Sequence, residues 1–339
     1  MKLSRRAFPW FCAIFIAFTG FAQDEDEAVR PSGISKAPHQ HSSSADEEKP
    51  SVRKAKRPSS TDSDDEGEAT PKPSRKHKTP RKPQPETPIG REPNGAPRTV
   101  AKSIMMIDAR SGQILYEKNA DDIRPAASTQ KLLTALLVAE HGFLDRQVTV
   151  EFIDTLAEPV KLNIRPGETY QRIDLLRALL VKSPNDVARC LARDYAGSIE
   201  AFAQAMNQRA RELGATHSHF VNPNGLPVPG QYSSARDLSL IAKAAYANPT
   251  IRSIVCMPRY VFRFSNGRTR ELENTNKLLL RLPFCNGMKT GYTEAAGKCL
   301  IASGARPGKD VIVVVLGDTS GTVWRDAGAL LQWGLYSAG

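Results

Sequence analysis

The chain has 339 residues, 47 Lys and Arg against 36 Asp and Glu for a formal net charge of +11, and 24 prolines. Its length admits two domains, but the abundance and uneven placement of proline exclude a chain that is folded throughout. The basic excess invites a nucleic-acid reading. That reading is excluded, because the basic blocks alternate with acidic ones and carry no interleaved aromatic residues.

At the start, Lys2, Arg5 and Arg6 precede an apolar run from Ala7 to Phe18 and the small residues Thr19, Gly20 and Ala22. This is the layout of a secretory signal, with cleavage expected after Ala22. The run is shorter than the roughly 20 residues that span a bilayer. Residues 1–22 are therefore expected to be a signal peptide, and the protein to work in the periplasm or otherwise outside the cytoplasm. Cys12 lies inside the run instead of closing it, which argues against a lipoprotein. No other stretch is long and apolar enough to span, and no C-terminal membrane anchor is expected.

Residues 23–99 contain no Phe, Tyr or Trp and are dense in Pro, Ser, Lys, Asp and Glu. Such a segment cannot bury enough apolar surface to offset the entropy of ordering it. It is expected to be a disordered linker whose basic blocks, Arg53 to Arg57 and Arg75 to Lys82, touch anionic wall polymers. After the signal is removed the chain keeps Cys190, Cys256, Cys285 and Cys299. Export permits disulfides, but buried free thiols fit as well, and the spacing lacks the C-x-x-C pairs of a zinc site.

Folded structure is expected from residue 100 to 339. Ser103 to Asp108 and Gln113 to Glu117 flank a turn at residues 109–112 and read as a hairpin. Leu132, Leu133, Leu136 and Leu137 recur at helical spacing, as do Ile173, Leu176, Leu179 and Leu180. Further helices are expected over residues 187–195, 199–213 and 235–247. Lys298 to Ser303 and Asp310 to Leu316 read as strands, and residues 322–336 as a closing amphipathic segment. Strands at both ends with helices between them predict an α+β fold (an α/β sandwich): an antiparallel sheet covered by helices, with an inserted helical subdomain over roughly residues 129–284.

Three short motifs carry chemistry. Ser128-Thr129-Gln130-Lys131 opens the first Leu-rich helix. The i to i+3 spacing puts Ser128 and Lys131 on one face, with unpaired helix-start N–H groups near the hydroxyl. A lysine held in a partly dry site can lose its charge and act as a base toward that hydroxyl. Alone the motif is weak, since a serine at a helix start is ordinarily a cap. Ser183-Pro184-Asn185 reads as a turn between helices that projects a hydroxyl and an amide. Lys289-Thr290-Gly291 reads as an edge strand, where Gly291 permits close backbone approach and Lys289 and Thr290 bind a carboxylate.

In this order the motifs resemble those of the penicillin-binding serine DD-peptidases and serine β-lactamases, S-x-x-K, S-x-N and K-T-G. The resemblance is nearer to the low-molecular-mass D-alanyl-D-alanine carboxypeptidases, through Arg124 to Ser128, Ser183 to Asp186, His219 to Leu226, Asn274 to Leu278 and Gly287 to Thr293. It covers roughly Lys102 to the C-terminus. It implies a β-lactamase/DD-peptidase-like fold and hydrolysis of D-Ala-D-Ala peptidoglycan stem peptides through an acyl-enzyme, with β-lactams as covalent inhibitors and no cofactor or metal. Carried over, Ser128 is the nucleophile, Lys131 its base, Ser183 the proton relay and Asn185 the holder of the substrate amide. The backbone N–H groups of Ser128 and Tyr292 form the oxyanion hole, and Lys289, Thr290 and Gly291 bind substrate. The middle residue Pro184 departs from the small or polar residue usual there. The DD-endopeptidases of the same group and a penicillin-binding or wall-binding protein without turnover are the alternatives. No G-x-S-x-G elbow is present, His217 and His219 lack further metal ligands, and neither Glu200 nor Glu212 fits a β-lactamase E-x-x-x-N stretch.

Overall fold

The fold is taken from a computed structural model, which describes residues 89–338. The expected signal peptide 1–22, Cys12 and linker residues 23–88 lie outside the described residues.

The sheet is built from both ends of the folded chain. Strands β1 (Ser103–Asp108) and β2 (Ile114–Lys118) form the first hairpin, and β7 (Cys285–Thr293), β8 (Gly297–Arg306) and β9 (Lys309–Asp318) come from the far end. They pair antiparallel in the order β2-β1-β9-β8-β7, so β9 lies beside β1 and β7 forms an edge. Val311 to Leu316 are all fully buried, because both faces of β9 are covered. Strand alternation sends Val311, Val313 and Val315 to one core, against helix α7 (Val323–Tyr336), and Ile312, Val314 and Leu316 to the other.

That second core is packed by the helices of the inserted region: α1 (Lys131–His141), α2 (Arg172–Lys182), α3 (Asn185–Ala196), α4 (Ile199–Glu212), α5 (Ala235–Ala247) and α6 (Pro249–Val255). Leu132, Leu133, Leu136, Leu175, Leu176, Leu179 and Leu180 are at most 1 % exposed, as the helical spacing of their apolar residues requires. The antiparallel sheet under helices and the helical insert agree with the sequence expectation.

Some details differ. The insert is not helical throughout, since β3 (Gln147–Thr149) pairs with β4 (Thr169–Gln171), and β5 (Arg259–Arg263) with β6 (Thr269–Glu273). The second hairpin has a period-two signal, in which the aromatic residues Tyr260, Phe262 and Phe264 alternate with the outward-facing Val261 and Arg263, and Phe262 packs on Tyr170 at 5.1 Å. Strands β8 and β9 are longer than expected, and residues 304–309, expected to be a loop, shrink to a turn at Pro307 and Gly308. Residues 89–98, expected to end the linker, carry an Arg91–Pro97 bridge and a fully buried Ala96. The apolar contacts of Ala96 with the core beneath α7 extend the folded part to earlier residues. Among the described residues no helix is long and apolar enough to cross a membrane.

Candidate active site

The N-terminal approach to α1 is a short 3-10 turn, Ala127–Gln130, that carries Ser128. Lys131 follows as the first residue of α1 and is fully buried. Its Nζ lies 2.8 Å from Ser128 Oγ, 2.7 Å from Asn185 Oδ1 and 2.7 Å from the carbonyl oxygen of Asn224. The last two are acceptors only. Nζ donates to all three, and the Ser128 hydroxyl donates in turn to the Asn224 carbonyl at 3.3 Å; a neutral amine can keep the bonds to Asn185 and Asn224 and turn its lone pair to the hydroxyl. Burial drives the Lys131 pKa well below its ordinary value, the charge of Lys289 pushes the same way, and Asp186 opposes both. The arrangement sets a hydroxyl beside a buried lysine whose charged form is disfavoured.

Two loops hold this pair. Gly225 has φ +83, and a Cβ there would fall 2.0 Å from the carbonyl oxygen of Ala127 and 2.9 Å from Ser128 N. Only glycine lets the Asn222 to Leu226 loop press against the nucleophile turn. Asn222 Oδ1 accepts the N–H groups of Asn224 and Gly225 and so aims the Asn224 carbonyl. Gln130 Nε2 donates to the Asn222 carbonyl at 2.6 Å, which ties the same loop back to the turn.

Ser183 closes α2 in the left-handed conformation, φ 67, and Pro184 prevents that helix from continuing into α3. Ser183 lines the cleft and is 8 % exposed, but among the described residues its hydroxyl donates no hydrogen bond to Ser128 or Lys131. Asn185 differs from its expected task. Its Oδ1 accepts from Lys131 and its Nδ2 donates to the Pro159 carbonyl, so both ends of the amide are engaged inside the protein. In this state it positions Lys131. The next residue, Asp186, is fully buried and accepts the N–H groups of Leu162, Asn163 and Val187, while burial raises its pKa.

The third motif lies on the edge strand, as expected. A Cβ at Gly291 would stand 3.0 Å from the amide nitrogens of both Ser128 and Thr129, so β7 runs against the nucleophile turn. Tyr292 is the next residue along this strand, and the Ser128 N–H donates to no group among the described residues. Strand alternation then divides the expected carboxylate grip. Lys289 shares its face with Gly291, is 1 % exposed, and donates to the Thr290 carbonyl at 2.9 Å; its side chain is not on the cleft surface. Burial lowers its pKa to about 7. Thr290 lines the cleft, and its hydroxyl donates to Thr275 Oγ1 at 2.7 Å. Thr275 N–H in turn donates to the Val181 carbonyl at the end of α2.

The cleft that collects these groups has a volume of about 580 Å³ and is lined by Ser128, Ser183, Asn185, Thr290, Gly291 and Tyr292, among others. The structure thus brings together Ser128, Lys131, Asn185 and Gly291 in direct contact, with Ser183, Thr290 and Tyr292 on the same cleft. The sequence reading missed Asn224, Gly225 and Thr275. The Asn222-Pro223-Asn224-Gly225 turn was visible as text, but a backbone carbonyl and a missing Cβ have no side-chain signature to assign. His217 lies 3.9 Å from Asp121, and His219 Nδ1 shares a hydrogen bond with the Gly230 carbonyl, both away from this cleft.

The D-alanyl-D-alanine carboxypeptidase family profile matches residues 91–320. A D-alanyl-D-alanine carboxypeptidase of Mycobacterium tuberculosis is 36 % identical over 240 residues, covering 69 % of this chain and 82 % of the relative. A D-alanyl-D-alanine endopeptidase of Escherichia coli is 34 % identical over 243 residues, covering 70 % of this chain and 78 % of its own length. The crystal structure of a D-alanyl-D-alanine carboxypeptidase from Mycobacterium tuberculosis superimposes with a TM-score of 0.68 at 35 % identity, over 74 % of this chain and 96 % of that one.

Proposed function

The chain belongs to the D-alanyl-D-alanine carboxypeptidase family, a family of serine-type hydrolases, and from that premise we propose that it removes the terminal D-alanine of peptidoglycan stem peptides through an acyl-enzyme on Ser128. The observation that carries the assignment of residues is the fully buried Lys131, 2.8 Å from the Ser128 hydroxyl and held there by Asn185 Oδ1 and the Asn224 carbonyl.

Ser128 Oγ attacks the carbonyl carbon between the two D-alanines as Lys131 takes its proton. The oxyanion is held by the N–H groups of Ser128 and Tyr292, donors fixed before the reaction begins. The C–N bond breaks, and Ser183 relays a proton to the leaving amine. Water then attacks the ester with Lys131 again as base, releasing the shortened peptide. Thr290 donates to the terminal carboxylate, Lys289 adds its positive field from behind the strand, and Gly291 keeps β7 close to Ser128. Asn185 and Asn224 orient Lys131, and no cofactor or metal takes part.

β-Lactams, whose strained amide presents the same acyl group, are expected to acylate Ser128. The wider setting follows from the first 99 residues: export by residues 1–22, work outside the cytoplasm, and a linker of residues 23–99 that engages anionic wall polymers. Residues 100–339 are the catalytic domain in this scheme.

The test is release of D-alanine from a pentapeptide ending in D-Ala-D-Ala, together with covalent labelling by a fluorescent penicillin, in the wild type and in Ser128→Ala. Both signals are expected in the wild type and neither in the variant; retained labelling in Ser128→Ala sinks the assignment. The likeness to an endopeptidase makes cross-linked dimers the second substrate to offer. Opening of dimers at a rate comparable to trimming would move the reading to endopeptidase, and labelling without release would make the protein a penicillin-binding protein without turnover.

A further inference from the structure

Strand alternation leaves a gap in the cleft. Thr290 and Tyr292 face one side of β7, while Lys289 and Gly291 face the other, where Lys289 is buried. A substrate carboxylate that reaches the Thr290 hydroxyl is therefore on the face away from the Lys289 ammonium. On the Thr290 face, the residue directly opposite Tyr292 on β8 is Lys298. Side chains of directly opposed residues lie on one face, with Cβ atoms about 5 Å apart. Lys298 lines the cleft with Ser128, Thr290 and Tyr292, and its Nζ rests 3.8 Å from the centre of the Tyr292 ring. Glu273 is the acidic residue on the cleft wall, and it is engaged by Arg259 at 3.9 Å. Among the described residues Lys298 is not in an ion pair.

We propose that Lys298 is the cation that recognises the terminal carboxylate of the substrate, with the Tyr292 ring holding its ammonium beside the Thr290 hydroxyl. This rests on the hydrolase reading given above and names a specificity residue for it. A charge-assisted hydrogen bond in a partly desolvated cleft is stronger than a neutral one. The position also has a register logic. Lys298 is fixed by strand pairing to the residue whose backbone N–H is proposed to hold the oxyanion, so carboxylate and scissile carbonyl are measured from one point. Two other cations line the cleft, and neither belongs to the strand pair: exposed Lys277 opens the 3-10 turn Lys277–Leu280 and stands 5.9 Å from the Trp324 ring, and exposed Lys182 ends α2.

The test uses the full chain and a reactive thioester substrate in two forms, one whose leaving group ends in a carboxylate and one in which that group is a carboxamide. For Lys298→Met the kcat/KM of the carboxylate form is expected to fall about tenfold or more, mostly in KM, while that of the carboxamide form changes less than about threefold. Lys298→Arg, which keeps the cation, is expected to recover most of the loss, and Lys277→Met to leave the preference intact. Equal loss on both substrates would assign Lys298 a structural role and overturn the inference, as would a loss of preference in Lys277→Met instead. An active wild type with an unchanged Lys298→Met would overturn this inference alone. A wild type that neither releases D-alanine nor takes up penicillin would overturn the hydrolase reading and this inference with it.

Discussion

The Asn224 carbonyl oxygen lies 2.7 Å from the Nζ of Lys131, and because a carbonyl only accepts, it engages one lysine N–H and fixes Nζ 2.8 Å from the Ser128 hydroxyl. Asn185 Oδ1 does the same from the other side at 2.7 Å. Lys131→Gln is expected to lower the acylation rate by about 100-fold to 10,000-fold, the range for removal of a general base. Stopped-flow measurement of fluorescent penicillin uptake, with circular dichroism to confirm folding, checks this.

The same contacts set a pH dependence. In the proposed mechanism acylation needs neutral Lys131, so its rate is expected to fall on the acid side as the lysine gains a proton, at a pH well below that of an ordinary lysine. Asp186 favours the ammonium. Removing its charge in Asp186→Asn is therefore expected to move the acid limb to lower pH. The variant also leaves one or more of the Leu162, Asn163 and Val187 N–H groups without an acceptor, which costs about 1–3 kcal/mol of stability. A limb that moves to higher pH would contradict the electrostatic account.

Lys289 makes a stability prediction of the opposite kind. Burial lowers its pKa to about 7 in the folded protein, while the unfolded chain holds the proton up to the ordinary lysine value. Between these limits the unfolded state binds more protons, so the contribution of Lys289 to stability rises with pH across about pH 7 to 10. Below that window its burial cost is felt in full. Lys289→Met is expected to be more thermostable than the wild type at pH 6.5, with the difference narrowing as melting is repeated toward pH 10, and to lose activity through the missing positive field.

Gly225→Ala is expected to damage both stability and rate. The new Cβ would stand 2.0 Å from the Ala127 carbonyl oxygen in a backbone conformation, φ +83, that L-residues rarely adopt. Either the loop or the nucleophile turn must move. A melting temperature lower by about 5 °C or more is expected, with acylation slower by about 100-fold, the order associated with a displacement near 1 Å at a reacting group. A variant with full rate would show that the contact between Gly225 and the turn is not needed.

The four cysteines of the folded part are free: Cys256 is exposed, and Cys190, Cys285 and Cys299 are buried. Burial also raises the thiol pKa at Cys190, at Cys285 and, to about 11, at Cys299. In the chain lacking residues 1–22, a thiol reagent is expected to modify one cysteine in the native state and three more after denaturation without reductant. Fewer than four in the denatured state would reveal a disulfide.

Most of the fold was legible because it rests on period. The unbroken Val311 to Leu316 run marks a strand covered on both faces, and the Leu132 to Leu137 pattern marks a helix on one core. The β5–β6 hairpin had an equally regular signal at Tyr260, Phe262 and Phe264, but its strands are short and lie among helices. In the site, Ser128, Lys131 and Gly291 were legible because side-chain type and spacing identify them. Asn185 was found with the wrong partners, since its engagement with Lys131 and the Pro159 carbonyl depends on a fold that joins residues 26 and 54 positions away. The buried state of Lys289 was hidden in the same way. Only the register of β7 tells which of two neighbouring residues faces the cleft.

Strand β7 ends the sheet, and its outer row of peptide groups has no further strand beside it. An uncovered rim of this kind ordinarily invites another sheet to dock, the first step toward aggregation. Here Thr275, Lys277 and Trp324 line the same cleft as Thr290, Gly291 and Tyr292 of this strand. In the proposed function the substrate lies along this same rim, so an occupied cleft is expected to cap the row of peptide groups that an empty one leaves unpaired.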